Sequence, residues 1–212
     1  MTTDHSLPEA TILENKDRII ELLKSTKREG IENLIAFMQS PECNFFEAPA
    51  SSKFHLCKKG GLAQHVLNVY DALLYLEEKY SQIKFCDSLI IIGLLHDFDK
   101  ALNLYREKYT KAGARSQNPY EKEDIFPMGH GEKSVILLQK FIPLTIQEMM
   151  CIRWHMGPYD PSYRMYESAI KDKCPEAFIV YFADHLATLY VDDTETPLEI
   201  TETIPPITEV VT

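Results

Sequence analysis

Apolar residues recur every three to four positions along most of the chain, which is the spacing of helices with one buried face. Two such stretches near the N-terminus are separated by Gly30 and end at the Ser40-Pro41 step. Residues 41–61 contain two prolines and two glycines and are predicted to be an irregular connector. From Leu62 to Leu76 the apolar positions again keep a helical period, which predicts a long helix.

The second half of the chain carries further helical patterns. Residues 89–95 are apolar nearly all round, which is typical of a helix at the centre of a core. Helical periodicity returns over residues 132–141 and 146–154, and the last strong helix is predicted over residues 175–190. Residues 103–127 are polar and aromatic with mixed charge, and strand signals are nearly absent. The pattern therefore predicts an all-α helical bundle.

The chain of 212 residues, 45% of them hydrophobic, is long enough for one well-buried core. We expect residues 1–59 to form an N-terminal helical and irregular extension packed on the domain, and residues 60–190 to form the domain itself. Residues 191–212 are acidic and contain proline, which is typical of a C-terminal tail. Within this tail, residues 200–211 could pair as a short β-ribbon.

Charge and composition restrict the class of function. A formal net charge of −10 and a pI near 5.2 repel polyanions, so that small substrates are favoured over duplex nucleic acid. The N-terminus lacks the basic start and apolar run of a secretory signal, and no stretch is long and apolar enough to predict a membrane span. The five cysteines are widely spaced without a CxxC pair, which favours reduced thiols and a cytoplasmic location.

Aspartates stand directly beside two strongly apolar segments. His96 and Asp97 follow the apolar run of residues 89–95, and Asp184 follows the apolar residues 178–183. Burying a carboxylate costs several kcal/mol unless it is paired or bound to a metal. The two acids therefore indicate a shared cation.

Three more histidines are placed to reach the same interior. His65 falls on the helix face that carries Leu62 and Val69, while His130 and His155 stand at predicted helix ends. One histidine on an apolar face is more often a hydrogen-bonded core residue than a ligand, but a set of four with two aspartates points to a metal centre. These nitrogen and oxygen ligands suit Mn, Fe, Mg, Ni or Zn, and the lack of thiolates argues against a closed structural zinc site.

The order of these residues resembles the signature of the HD superfamily of metal-dependent phosphohydrolases. The order is His65, then His96-Asp97, then Asp184, and the segments GGLAQHVLNV and GLLHDFDK are similar to the corresponding HD segments. His130 and His155 resemble the additional ligands of the two-metal branch of that superfamily. Some HD exoribonucleases carry a preceding oligonucleotide-binding barrel, whereas residues 1–59 here have a helical and irregular pattern, which argues against a processive RNase.

The resemblance implies an HD-domain helical bundle that holds one or two divalent metal ions. His65, His96, Asp97 and Asp184 would bind one ion, and His130, His155 and a bridging Asp97 would bind the other. Such ions lower the pKa of a bound water from 15.7 toward ~7 and hold phosphate oxygens at open positions. The implied reaction is hydrolysis of a phosphoester or phosphoanhydride of a nucleotide or similar small phosphorylated substrate.

Several basic and aromatic residues are candidates for substrate contact. Lys100 lies about one helical turn after Asp97 and could reach a metal-bound phosphate, or it could be a solvated lysine. Residues 106–115 contain four basic residues and one acid, which favours either a lid over an anionic substrate or a solvated charged surface. The candidates are Lys100, Arg106, Lys111, Arg115, Arg153, Tyr159 and Arg164.

Histidines and acids outside this set receive simpler interpretations. Asp99 could be a second-layer partner of a ligand histidine or a helix-terminal residue paired with Lys100. His5, His55 and His185 are expected to lie outside the site.

Two other functions share the same residue pattern. The six residues also resemble those of the di-iron oxygenases of the HD superfamily, which activate dioxygen instead of water. A non-catalytic nucleotide-binding sensor is the third hypothesis, although a sensor has no evident use for a full set of six metal ligands.

Overall fold

In a computed structural model, which describes residues 5–80, 82–113, 115–124 and 126–192, the chain forms eight α-helices and one β-hairpin. The all-α class predicted from periodicity is confirmed. The elements are α1 (Glu9–Ser25), α2 (Ile31–Met38), α3 (Gly61–Lys79), α4 (Leu89–Leu95), β1 (Tyr105–Tyr109), β2 (Arg115–Lys122), α5 (His130–Leu138), α6 (Ile146–Trp154), α7 (Tyr163–Lys173) and α8 (Glu176–Tyr190).

Helix α3 lies at the centre of the bundle and packs against α4 and α8. It begins after Gly60, whose φ of 83° lies in the left-handed region that glycine adopts without strain. Gly93 of α4 faces Tyr70 of α3, and a Cβ at Gly93 would lie 3.0 Å from the Tyr70 Cα. The missing side chain therefore allows the two helices to pack closely.

Helix α6 forms the opposite wall of the interior and contacts α4, α5 and α8. Thr145 and Glu148 form a capping box that satisfies backbone N–H groups at its start. Glu148 is fully buried and forms a two-pronged ion pair with Arg28, at 2.6 and 3.0 Å. This ion pair joins the segment before α2 to the helix that ends at His155.

The extension predicted for residues 1–59 contains α1 and α2. Helix α1 packs on α3, where Asn15 donates a hydrogen bond to Gln64 and Arg18 pairs with Asp71. Residues 40–60 form turns that bury Phe45 in the core. The boundary between residues 59 and 60 stays a prediction.

Two elements differ from the sequence-based expectation. Helix α7 was not predicted. Only Tyr163 and Ile170 are buried along it, so its contact with the core is small. The expectation that strands are nearly absent was wrong for residues 103–127, where β1 and β2 pair antiparallel with Tyr105 opposite Lys122. Most β1 side chains are exposed, so this strand lacks the alternation that marks a half-buried strand.

The C-terminal end of the chain is described as far as Asp192. The predicted tail beyond this residue, including the possible ribbon over residues 200–211, lies outside the described residues. Among the described helices, none combines the length and the apolar character needed to cross a membrane.

Candidate metal centre

The structure brings together all six histidines and aspartates singled out in the sequence. His65 lies on α3 and Asp184 on α8, while His96 caps the end of α4 and is followed by Asp97. His130 is the first residue of α5, and His155 caps the end of α6. Five helices thus contribute to one cluster, in which five side chains are buried and His130 is partly exposed.

Asp97 lies in the middle of the cluster. Its Oδ1 lies 2.5 Å from His130 Nε2 and 3.4 Å from His155 Nε2. Its Oδ2 lies 3.6 Å from Nε2 of both His65 and His96. The two carboxylate oxygens therefore face different pairs of imidazoles, which is the arrangement needed for a carboxylate shared by two cations.

Asp184 lies on the His65 side, with its Oδ1 at 3.2 Å from His65 Nε2. Ligand atoms within 4.8 Å of one another form three sets in this cluster. The sets are His65, His96 and Asp97; His96, His155 and Asp184; and Asp97, His130 and His155. Each set combines nitrogen and oxygen donors of the kind that first-row divalent ions accept.

Two buried nitrogen atoms show that the cluster suits a cation. The Nδ1 atoms of His96 and His155 lie 3.0 and 2.7 Å from the carbonyls of Gly93 and Ile152. An Nδ1–H that donates to a carbonyl leaves a lone pair on Nε2. Neither Nε2 has a hydrogen-bond partner among the described residues. Since buried polar atoms are normally satisfied, these lone pairs fit a role as ligands of a metal ion.

The ionisation of the carboxylates is strongly favoured. Burial raises the pKa of Asp97, but the positive charges of Lys100 and His130 and the hydrogen bond with His130 outweigh it and hold the pKa well below its usual value. The pKa of Asp184 is also lowered, because the hydrogen bond with His65 and its charge outweigh burial. Both acids are therefore anionic at neutral pH and available to a cation.

Three of the histidines divide into two groups by their pKa. Burial lowers the pKa of His96 to about 4, so this ring is neutral and ready to bind. At His65 burial is outweighed by hydrogen bonds with Asp184 and Asp192, which raise the pKa to about 10. At His130 the charges of Asp99 and Asp97 likewise outweigh burial and raise the pKa to about 9. Metal binding must displace protons from these two rings.

Asp99 supports His130 from behind. Its Oδ1 lies 2.7 Å from His130 Nδ1, and the backbone N–H of Asp99 donates to the Ser134 hydroxyl. Lys133 is buried nearby and links Asp99, at 3.6 Å, to Asp124, at 2.8 Å. Of the two interpretations offered for Asp99, this geometry favours the partner of a histidine.

Lys100 also faces the cluster. Its Nζ lies 2.6 Å from Asp97 Oδ2, and only 13% of its side chain is exposed. Although burial acts in the opposite direction, the charge of Asp97 raises the pKa of Lys100. This contradicts the alternative of a solvated lysine.

Four other substrate candidates lie on the β-hairpin and on α7. Arg106 pairs with Glu123, while Lys111 and Arg164 are exposed. Arg115 begins β2, and its side chain is not among those described. None of their described ion pairs includes one of the six clustered residues, so substrate contact stays a prediction for each.

Arg153 and Tyr159 also have partners of their own near His155. Arg153 pairs with Glu132 and with Asp160, and its guanidinium lies 3.9 Å from the centre of the Trp154 ring. Tyr159 stacks on His185 at a centroid distance of 5.3 Å. Their contact with substrate stays a prediction as well.

Two residues beside the cluster were not predicted. Asp192, which was assigned to the tail, is buried with Oδ2 at 2.8 Å from His65 Nδ1. His55, which was placed outside the site, packs against His65 at a ring distance of 4.9 Å. The one available signal was the position of Asp192 two residues after α8.

Comparison with known proteins gives two matches. The HD domain family matches residues 62–189 of the chain. The dihydroneopterin 2′,3′-cyclic phosphate phosphodiesterase of Methanocaldococcus jannaschii is 27% identical over 183 residues, which are 79% of this chain and 67% of the relative. No solved structure shows a significant match.

Proposed function

The chain belongs to the HD domain family. We propose that its six clustered side chains hold one or two divalent ions, and that the protein uses these ions to hydrolyse a small phosphoester. The preferred substrate in this proposal is a nucleotide. The resemblance predicted from the order of the histidines and aspartates is confirmed, and the enzyme is a metal-dependent phosphohydrolase. The ligand set is our proposal. It is supported chiefly by the buried Nε2 atoms of His96 and His155, which lack hydrogen-bond partners among the described residues.

The proposed centre uses Asp97 as the shared ligand. When bound, the divalent ions supply a hydroxide at neutral pH, by lowering the pKa of water toward ~7, and open positions for phosphate oxygens. His65, His96 and Asp184 would complete one ion site with Asp97, and His130 and His155 would complete the other. The ligand set contains no thiolate, so Mn, Fe, Mg, Ni and Zn are all compatible with it.

Lys100 is the proposed phosphate contact. Its Nζ lies 2.6 Å from Asp97 Oδ2 and neutralises that oxygen. An ion bound to that oxygen would take over this neutralisation and would repel the ammonium group. The four-carbon stem then lets Nζ turn to a substrate phosphate, where it acts as a point charge.

The proposed substrate is small and carries a phosphodiester. The net charge of −10 disfavours long nucleic acids. The relative from Methanocaldococcus jannaschii is named as a phosphodiesterase of dihydroneopterin 2′,3′-cyclic phosphate. We therefore place nucleoside cyclic phosphates first among the substrates to be tested.

The test begins with metal-stripped protein reloaded separately with each of the five metals. Nucleoside 2′,3′-cyclic phosphates, 3′,5′-cyclic nucleotides, nucleoside monophosphates and a long single-stranded RNA are then offered, and the products are followed by ³¹P NMR. We expect metal-dependent opening or release of phosphate from at least one small substrate and none from the RNA. A protein that retains no divalent ion, or that hydrolyses nothing in this set with any metal, would contradict the proposal.

A further inference from the structure

We propose that Asp192 is a positioning residue of the metal centre, which holds the His65 ring by Nδ1 so that Nε2 is presented to the ion. This inference rests on the proposed function only in that a divalent ion binds His65. It assigns a role to a residue outside the range that matches the family, residues 62–189.

Asp192 is fully enclosed and has two protein donors. Its side chain has no exposed surface, and Oδ2 lies 2.8 Å from His65 Nδ1. Oδ1 accepts a hydrogen bond of 2.8 Å from the Asn68 side-chain amide, one turn further along α3. A buried carboxylate held from both oxygens has a fixed position and can therefore fix the ring it contacts.

The end of α8 places Asp192 beneath α3. The backbone N–H groups of Val191 and Asp192 both donate to the Ala187 carbonyl, at 3.0 and 2.9 Å. These two hydrogen bonds to one carbonyl end the helix and turn the chain toward α3. Asp184 on α8 and Asp192 after it therefore contact opposite nitrogens of the same His65 ring.

The other three histidines of the cluster show why such a partner is needed. His96 and His155 are held at Nδ1 by backbone carbonyls, and His130 is held at Nδ1 by Asp99. Each ring thus has a partner on the nitrogen that faces away from Asp97. Asp192 completes this pattern for His65. A carboxylate behind a ligand histidine fixes its orientation and raises its basicity.

A purely structural ion pair between Asp192 and His65 is the competing explanation. It predicts that loss of Asp192 lowers the stability of the fold but leaves the affinity for metal unchanged. The positioning role instead predicts a change in metal affinity and in the location of the ring proton. The two explanations therefore differ in measurements that do not depend on activity.

The first experiment titrates Mn²⁺ into metal-free, full-length protein by calorimetry. The parent is compared with Asp192→Ala, Asp192→Asn and the control Asp71→Ala, which removes an α3 carboxylate paired with Arg18. Since removal of a partner behind a metal ligand weakens binding about 10–100-fold, we expect that loss for Asp192→Ala. We expect a smaller loss for Asp192→Asn, whose carbonyl still accepts from Nδ1–H, and none for Asp71→Ala.

Unchanged Mn²⁺ affinity in a folded Asp192→Ala protein would overturn the inference and leave the proposed function standing. A parent that binds none of Mn²⁺, Fe²⁺, Mg²⁺, Ni²⁺ and Zn²⁺ would overturn both. Circular dichroism checks that each variant is folded.

The second experiment uses the parent protein alone, so it can overturn the inference even if Asp192→Ala does not fold. In ¹⁵N-histidine-labelled, Zn²⁺-loaded protein, we expect the His65 proton on Nδ1, protected from exchange by the bond to Asp192. A His65 proton on Nε2, with zinc on Nδ1, would overturn the inference.

Discussion

Asp97 contacts more charged or ionisable side chains than any other residue of the cluster. Its two oxygens face four imidazoles and the ammonium group of Lys100, all within 3.6 Å. A side chain in this position affects every ion that the cluster can hold. His130, by contrast, contacts one oxygen of Asp97 and one of Asp99.

We therefore predict different results for Asp97→Ala and His130→Ala. Asp97→Ala should abolish tight metal binding and lower turnover by more than about a hundredfold, the upper end of the losses seen when mere partners of ligands are removed. His130→Ala should weaken the binding of the ion held by His130 and His155 and leave the binding of the other ion unchanged. Elemental analysis after gel filtration measures both, with Asp71→Ala as the control. Equal metal content in all four proteins would contradict the prediction.

The raised pKa values of two histidines predict the pH dependence of the metal-free protein. The pKa is about 10 for His65 and about 9 for His130, against 6.5 when unfolded. Each ring binds its proton more tightly in the folded state, so its contribution to stability is complete below pH 6.5 and is lost as the pH rises through the folded value. The free energy of unfolding should therefore fall between about pH 7 and pH 10.

Urea unfolding of the metal-free protein at pH 7, 8.5 and 10 measures this change. A His65→Gln/His130→Gln protein is the control and should show a flatter profile over the same range. A parent whose stability is no more pH-dependent than that of the control would contradict the assignment of these protons.

Local sequence was sufficient to find the six clustered residues. Five of them lie within or directly after an apolar helical pattern, and His130 stands at the start of a predicted helix. Asp192 could not be found in this way. Its contact with His65 joins positions 127 residues apart, and no periodicity reports such a contact. The ion pair between Lys100 and Asp97 was likewise left open, since spacing alone does not tell which way a long side chain turns.

At the scale of elements, the cluster depends on how closely α5 and α6 approach. Gly131 makes this approach possible, because a Cβ there would lie 2.3 Å from the Arg153 carbonyl of α6. His130 precedes this contact point and His155 lies two residues beyond Arg153. A side chain at position 131 would therefore force the backbones of α5 and α6 apart. His130 and His155 would move with their helices.

We predict that Gly131→Ala destabilises the protein by about 1–3 kcal/mol, as overpacking in cores does, and weakens the ion held by His130 and His155. Val135→Ala is the matched control, since it removes packing on α5 without a backbone clash. Urea unfolding combined with Mn²⁺ titration separates the two effects. Retention of both ions at parental affinity in Gly131→Ala would show that the helix spacing does not matter.

The elements differed in how well the sequence predicted them. The patterns for α3, α4 and α8 were clear because each of these helices buries an apolar face or is buried nearly all round. Helix α7 and the hairpin contact the core through few residues, so burial leaves little trace in their sequence. Their formation depends on backbone hydrogen bonding and tertiary context, which hydrophobic periodicity does not report.

At the scale of the whole molecule, the proposed ions would link five helices. A ligand that binds only the folded state at 100 times its dissociation constant adds about 2.7 kcal/mol of stability. For a chain of this size, 1 kcal/mol corresponds to roughly 2–4 °C in melting temperature. We therefore expect Mn²⁺ at this excess to raise the melting temperature by roughly 5–11 °C.

Differential scanning fluorimetry with and without a chelator measures this shift. Asp97→Ala should show none of it. A shift of equal size in that variant would mean that the metal stabilises the protein from another site.

The ion pair between Arg28 and Glu148 joins a residue outside the range that matches the family, residues 62–189, to a buried residue inside it. The segment that folds on its own is therefore expected to be longer than the segment that matches the family. A fragment trimmed to residues 62–189 would keep Glu148, whose side chain has no exposed surface, but would lose the guanidinium that neutralises it. Removing one partner of a buried pair costs about 3–5 kcal/mol, a large share of the stability of an ordinary domain. Such a fragment would still match the family by its sequence, but we expect it not to fold on its own.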